Sequence, residues 1–438
     1  MKIPERPPEL SEDYSYSSVV NDLFSAKKLE EFFEINNNQY PYWDKWKYIA
    51  KQWQYDPKKL WAAIKHYRRG GLLYFSPQLS LQLNAPSVIQ QYLHEFDMNL
   101  GGTLQGESII PSEDRERYLI NSLMEEAIAS SQLEGAVTTH QLAREMLESN
   151  RKPRNHSEQM ILNNYEAMKW IVDNKHLPFT LDNLLQLHTI VTNNTLTDKA
   201  DEGRFRTDDK VNVVDVQTGE VVHYPPSHTE LLSLMKRFCD FANDKVKQFS
   251  FVHPISKGIV LHFLIGFIHP FVDGNGRTAR TIFYWYLLKK GYWLIEYMSV
   301  SRVILNAKAQ YARAYLYTEL DENDLTYFVL YNAQCIQKAL EELKQHIKRK
   351  TAEKKNAMDL LRNTNFNERQ IVLLQELMQD TGRHYSVSQI EKWFGISNQT
   401  ARNDLNGLVE AGLLAFRKTG KKIQFFAVKD FGMKIRKK

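Results

Sequence analysis

A mainly α fold, a helical bundle carrying one β-hairpin and followed by a small basic unit, is what this sequence predicts. Three observations lead there. Apolar residues recur at three- and four-residue spacing through most of the chain, which is the helical period. Two β-branched runs, 211–216 and 220–224, flank Thr218-Gly219 and end at Pro225-Pro226, which is the pattern of a hairpin. The last 76 residues hold 13 Lys and Arg against seven Asp and Glu, a local +6, whereas the whole chain (57 against 52) carries only +5. The remainder is therefore near neutral, at −1.

With 438 residues the chain is about twice the usual single-domain size, so two or three cores are expected. A 12% aromatic content excludes whole-chain disorder. Two cysteines, Cys239 and Cys335, provide neither a disulfide framework nor a CxxC metal unit. The polar, proline-bearing start lacks the apolar core of a signal peptide. The most apolar stretch, from Gly258 to Phe271, is interrupted by His262 and His269 and is too short to span a bilayer. A cytoplasmic protein without a membrane partner is the expectation.

Residues 1–108 read as a helical accessory region, with a loose start and aromatic-rich turns; Leu60, Ile64 and Tyr67 share a face before Gly70-Gly71 stops the helix. A core follows over 109–330. Pro111 and Ser112 before an acidic turn mark a helix start, Gly135 ends that helix, and Thr139 caps the next. Helices are expected at 156–174, 180–193, 229–247, 254–268, 275–290 and 300–316. Another, 323–356, becomes increasingly charged, and 331–362 reads as a connector. In 363–438, two helices lead to a turn at Ile396-Ser397, a third helix over 398–411 and a two-stranded wing around Thr419-Gly420.

The chemistry concentrates in one segment: His269-Pro-Phe-Val-Asp273-Gly274-Asn275-Gly276-Arg277-Thr-Ala-Arg280. Gly274 and Gly276 remove Cβ atoms from a turn, so backbone N–H groups can converge, and a helix N-terminus follows at once. Together they make an anion cradle. Arg277 and Arg280 lie about one turn apart and suit a polyphosphate. Asp273 offers a hard carboxylate for Mg²⁺, and His269 can act as a general base because its ordinary pKa permits a neutral ring.

This segment resembles the Fic family signature HxFxDGNGRxxR at every fixed position, so the expected fold is a Fic-type helical bundle whose hairpin is a flap. The resemblance implies a protein adenylyltransferase that moves AMP from ATP, with Mg²⁺, to a Ser, Thr or Tyr hydroxyl of a target and of itself. By that resemblance His269 deprotonates the hydroxyl and Asp273 holds Mg²⁺. Gly274, Asn275 and Gly276 form the anion hole, with the Asn275 side chain on phosphate, and Arg277 and Arg280 hold the β- and γ-phosphates. Gly276 stands where the family's kinase-like branch has lysine, which favours nucleotidyl transfer.

Upstream, Ser130-Ser-Gln-Leu-Glu134-Gly135 resembles the family's inhibitory motif, [S/T]xxxE[G/N], in which the glutamate pairs with the second signature arginine, here Arg280. The resemblance thus implies autoinhibition by Glu134. The segment 203–226 resembles the flap that pairs with an extended target, though His223-Tyr224-Pro225-Pro226 departs from its frequent ending. Asn306 and Tyr311 are similar to adenine-side positions, with Ala312 in place of a second tyrosine. The terminal unit resembles a winged helix-turn-helix whose partner would be duplex DNA, through Asn398, Gln399, Thr400, Arg402 and Asn403 with Lys418, Lys421 and Lys422. Alternatives are removal of AMP by the same site, or a DNA-binding regulator that uses the core as a nucleotide sensor. A homodimer is in keeping with the family.

Overall fold

The computed structural model describes residues 3–10, 15–76, 79–101, 110, 115–215, 218–362, 366–379, 381–419 and 422–436. The chain divides into two compact units between Leu343 and Lys344. The expected helix start at Pro111-Ser112 and the wing residue Lys421 lie outside the described residues.

The first unit opens with α1 (Tyr16–Ser25), α2 (Leu29–Asn38), α3 (Trp43–Gln52), α4 (Pro57–Arg68), the hairpin β1 (Leu72–Ser76) and β2 (Leu79–Gln82), and α5 (Ser87–Leu100). The sequence pattern had suggested only helices here. The strands pair antiparallel, Leu73 opposite Leu81, with both side chains buried, so this short alternation buries one face. Asp56 caps α4, accepting from the N–H groups of Lys58 and Lys59, and Pro57 fits its first position. The buried Lys65 and Arg68 of α4 fasten this region to the rest of the unit. Lys65 Nζ meets Asp321 Oδ1 at 2.8 Å, and the Arg68 guanidinium donates to Tyr327 while lying 3.7 Å from the Tyr40 ring centre.

The core continues with α6 (Arg115–Leu133), α7 (His140–Glu148), α8 (His156–Asp173), α9 (Leu181–Thr192), the hairpin β3 (Val213–Val214) and β4 (Val221–His223), and α10 (Leu231–Ala242). Then come α11 (Pro254–Ile268), α12 (Asn275–Lys289), α13 (Val300–Leu305), α14 (Lys308–Leu320) and α15 (Thr326–Arg362). Helix α11 is apolar on nearly every side and correspondingly buried, as a central helix should be. It packs on α12, and α12 packs in turn on α8, α9 and α6. The helix expected over 300–316 is broken: Asn306 ends α13, and Ala307, at φ −141° and ψ 42°, turns the chain into α14.

The second unit contains α16 (Glu368–Gln379), β5 (His384–Tyr385), α17 (Val387–Phe394), α18 (Asn398–Glu410), β6 (Leu414–Thr419), β7 (Lys422–Ala427) and α19 (Phe431–Arg436). The sheet is antiparallel in the order β5-β7-β6, so the wing has a third strand, and a short final helix, that two residues of strand and six of helix were too brief to announce. Ser386 and Gln389 form a reciprocal capping box on α17, which Gly395 ends in the left-handed region. Ala401, Leu405 and Leu408 turn α18 into a core of Leu373, Leu374, Leu377 and Phe425. Mainly α, with a helical bundle, a hairpin and a terminal helix-turn-helix, describes the molecule.

Candidate functional site

The signature segment links α11 to α12, and its shape follows from a few local bonds. His269 ends α11 at φ 49°, a left-handed conformation that turns the chain away from the helix axis. Its Nδ1 lies 3.0 Å from the Gly266 carbonyl, which fixes the proton on Nδ1 and leaves Nε2 as the acceptor. Burial lowers the pKa of His269, so the ring is neutral in the neutral pH range. Phe271 is buried and stacks flat on His188, with ring centres 3.7 Å apart. Gly274, at φ 81°, leads into α12, and no side chain among the described residues caps that helix, so none of them offers its first-turn N–H groups an acceptor there.

The Asn275 side chain bonds to the loop itself. Its Oδ1 accepts from Phe271 N at 3.0 Å and its Nδ2 donates to Phe271 O at 2.8 Å. A buried amide satisfied on both sides closes the loop like a clasp. In this structure the Asn275 side chain thus shapes the cradle by holding the Phe271 backbone, and its amide keeps a second N–H.

Arg277 is fully buried and donates to Val191 O at 2.9 Å, while its Nε and Nη2 have no hydrogen-bond partner among the described residues. Nη2 points toward Asp273, 3.6 Å from Oδ2. A guanidinium with unspent buried donors beside an uncapped helix start is what a phosphate group would satisfy. Asp273 itself is half exposed, with Oδ1 accepting from Gly274 N at 2.6 Å. Among the described residues no group of three or more His, Cys, Asp or Glu gathers to bind a metal. A single exposed carboxylate nevertheless fits Mg²⁺, which keeps several waters and takes its other ligands from substrate phosphates.

Arg280 is not free. Its Nε donates to Ser130 Oγ at 2.8 Å, and its Nη2 to Ser130 O at 2.9 Å and to Glu134 Oε1 at 2.8 Å. These bonds belong to a longer register between α6 and α12. Glu126, Ser130 and Glu134 recur every four residues on one face, so they line up on the helical period. They meet Tyr284, Arg280 and Gly276 in reverse order. At the far end, buried Glu126 accepts from Tyr284 OH at 2.8 Å, Ser299 Oγ at 2.9 Å and Ser301 N at 3.0 Å, and also from Ser301 Oγ. At the near end, a methyl group at position 276 would come within 2.7 Å of the Glu134 carboxyl carbon. A side chain there would have to displace the Glu134 carboxylate, which occupies the space. Gly135 follows at φ 93° and turns the chain out of α6.

The hairpin β3–β4 is shorter than the sequence suggested, with Val213 opposite His223 and an irregularity before Val214 opposite Val221. Two strands with no sheet to join are marginal in water, and here the body holds them. Arg206 is buried at the hairpin's base. Its Nε donates to His269 O at 2.9 Å and its Nη1 to Asp209 Oδ1 at 2.8 Å, while Nη2 donates to Pro226 O. Its own N–H meets Pro270 O at 2.9 Å. One guanidinium thus joins both ends of the hairpin to the segment that carries His269.

Residues 178–287 match the Fic/DOC family model, and residues 369–420 match the DeoR-like helix-turn-helix domain. The chain carries a Fic-family domain. Among curated proteins, it is 32% identical over 178 residues to the protein adenylyltransferase Fic of Drosophila willistoni, covering 40% of this chain and 32% of that protein. It is 31% identical over 178 residues to the protein of the same name in Drosophila melanogaster, with the same coverage. The chain spans about a third of the length of these relatives. Among solved structures, a Fic family protein from Desulfovibrio desulfuricans G20 is 19% identical with a TM-score of 0.49, covering 78% of this chain and 94% of that one. Fic-1 from C. elegans is 19% identical with a TM-score of 0.47, covering 59% and 72% respectively.

Within the Fic domain the structure brings together His269, Asp273, Gly274, Asn275, Gly276, Arg277 and Arg280, joined by Ser130 from α6 and by Glu134 from the turn just past its end. Tyr311 lies on α14 with its hydroxyl 2.7 Å from His262 Nε2, inside an aromatic cluster with Tyr315 and Phe328. Asn306 is exposed at the α13–α14 junction, and no described hydrogen bond of its side chain reaches the loop. His188 and Arg206 had not been singled out as supports of the Fic loop. His188 Nε2 is 2.9 Å from Asp273 O and its Nδ1 accepts from Gly203 N at 3.0 Å, so it bridges α9, the loop and the start of the 203–226 segment. Burial pushes its pKa down to about 4, which keeps Nδ1 an acceptor. Helical spacing on α9 was the only signal for it, and that reads equally well as core. No described helix is long and apolar enough to cross a membrane.

Proposed function

We propose that the Fic domain transfers AMP from ATP to a hydroxyl side chain of a protein, the chain itself included, and that Glu134 restrains it. One observation carries the reading: Glu134 holds Arg280 at 2.8 Å directly over Gly276, at the mouth of a loop whose remaining parts are arranged for a polyphosphate.

In this reading the neutral His269 accepts the hydroxyl proton at Nε2 while the hydroxyl oxygen attacks the α-phosphorus. A phosphodiester forms, the α–β bridging bond breaks and pyrophosphate departs. Arg277 and the first-turn N–H groups of α12 stabilise charge on the nonbridging oxygens. Mg²⁺ held by Asp273 would offset charge on the α- and β-phosphates. Arg280, once released, binds the terminal phosphate. Glu134 opposes this twice, by holding the guanidinium and by placing negative charge where phosphate oxygens would sit. The target segment would lie along the flap, its extended backbone pairing with the hairpin edge.

The test is incubation of the full chain with labelled ATP and Mg²⁺, comparing wild type, Glu134→Gly and His269→Ala. The reading requires label on Glu134→Gly and none on His269→Ala. Folded Glu134→Gly that binds ATP but transfers nothing would instead support a nucleotide sensor.

A second partner is supported by the DeoR-like match together with the local charge of +6. Asn398, Gln399, Arg402 and Asn403 are exposed along α18 while Ala401, Leu405 and Leu408 are buried, and Arg417 and Lys418 are exposed on β6. We infer that this face reads duplex DNA, with α18 in the major groove and the wing on the backbone.

A further inference from the structure

His223, at the end of the flap strand, has an arrangement that the reaction above does not use. It sits in β4 at 9% exposure. Its Nδ1 lies 2.7 Å from Glu319 Oε2 on α14, and its Nε2 lies 2.7 Å from the carbonyl oxygen of Phe267, two residues before His269. A carboxylate and a carbonyl have no proton to give, so both contacts are hydrogen bonds only when the ring carries two N–H groups. A neutral imidazole would satisfy one partner and present a lone pair to the other.

The titratable groups around this ring are Glu319 on α14, Tyr315 one turn earlier and in electrostatic contact with Glu319, and His269 beyond the end of α11. From β3 the ring's pairing partner is the uncharged Val213. The Phe267 ring lies 4.9 Å away and covers one side.

We propose that His223 is a positioning residue that works as an imidazolium, clamping the flap strand to the helix end that carries His269. The inference rests on the transferase reading, since it assigns the flap and His269 their roles. Burial opposes a charge on His223, but the hydrogen bond and negative charge of Glu319, with the Phe267 carbonyl, hold its pKa above the ordinary 6.5. Burial, with the His223 charge as a further contribution, holds His269 below 6.5.

The clamp is complete below the ordinary histidine range and is lost as pH rises through the raised pKa of His223. His269 becomes a base as pH rises through its own lowered pKa. Transfer is therefore confined to the window between the two, and its alkaline edge belongs to His223.

The test uses the full chain in the Glu134→Gly background, following self-modification from about pH 5 to about pH 9.5, together with a titration of the histidine side chains by ¹⁵N NMR. The expected result is a bell-shaped profile and a His223 ring that titrates above 6.5. Glu319→Gln should draw both the titration and the alkaline edge down by about one pH unit or more. His223→Gln should remove the alkaline edge and move the acid edge upward. A His223 ring that titrates at or below 6.5, or pH edges that stay in place in both variants, overturns the proposal. The ring titration needs no turnover, so a Glu134→Gly protein inert at every pH would count against the transferase reading while the NMR result still decides the imidazolium.

Discussion

Glu134 Oε1 accepts from Arg280 Nη2 at 2.8 Å while its carboxyl group stands over Gly276, one turn earlier on the same helix. A single side chain thereby engages both the guanidinium assigned to the terminal phosphate and the glycine of the anion loop. Arg280 is 3% exposed and Glu134 29%, so the pair is partly dry and keeps more of its strength than a surface ion pair.

Glu134→Gly removes this contact without filling the loop. A hydrogen bond to a charged group contributes about 1.5–3 kcal/mol, so self-modification should rise roughly 10- to 100-fold. Intact mass spectrometry should show increments of about 329 Da, one AMP joined through a phosphodiester. A mass unchanged in a folded protein would refute the restraint.

His269→Ala should abolish transfer in the Glu134→Gly background, because general base catalysis contributes about 10²–10⁴-fold. Binding of ATP, followed by fluorescence of a nucleotide analogue, should persist because Arg277 and the α12 N-terminus remain. Loss of both together would point to collapse of the loop rather than removal of a base.

Glu126→Ala leaves the hydroxyls of Tyr284, Ser299 and Ser301 and the N–H of Ser301 without their buried acceptor. A stability loss of about 2–4 kcal/mol is expected in denaturant unfolding. Basal self-modification should rise as well, although Glu134 is untouched, because α6 is no longer fixed against α12. Destabilisation with the basal rate unmoved would confine Glu126 to a structural part.

Arg206→Lys keeps the charge but loses the fork that reaches His269 O, Asp209 and Pro226. Transfer to a target should fall about 10-fold or more, with ATP affinity preserved. A parallel fall in ATP affinity would mean that the whole loop, rather than the flap alone, depends on this residue.

Arg402→Ala should weaken binding of the full chain to duplex DNA and reduce the slope of log affinity against log salt by about one if it contacts phosphate. Unchanged binding across salt would move recognition away from α18.

The parts legible in the sequence were those in which chemistry is local. The His269–Arg280 segment is continuous, so its glycines, arginines and helix start could be read together, and the four-residue spacing of Ser130 and Glu134 placed both on one face of α6. The supports were hidden because their partners are distant in sequence. Arg206 meets His269 across 63 residues, His188 meets Asp273 across 85, and His223 meets Glu319 across 96. Asn275 illustrates the converse. The motif placed it in the loop, but the bonds of its amide to the Phe271 backbone are something side-chain type alone does not announce.

If Glu134 restrains the site as proposed, the α6–α12 register makes that restraint a matter of length. Glu126 grips one end and Glu134 the other, eight residues apart, or about 12 Å at the helical rise per residue. Inserting or deleting one residue between them would preserve the helix and its composition but swing Glu134 through about 100° around the axis. The carboxylate would leave the anion loop with no change to any catalytic group. On that proposal the resting state is stored as a spacing, and a force or ligand that slides or rotates α6 would act on the rate through geometry alone.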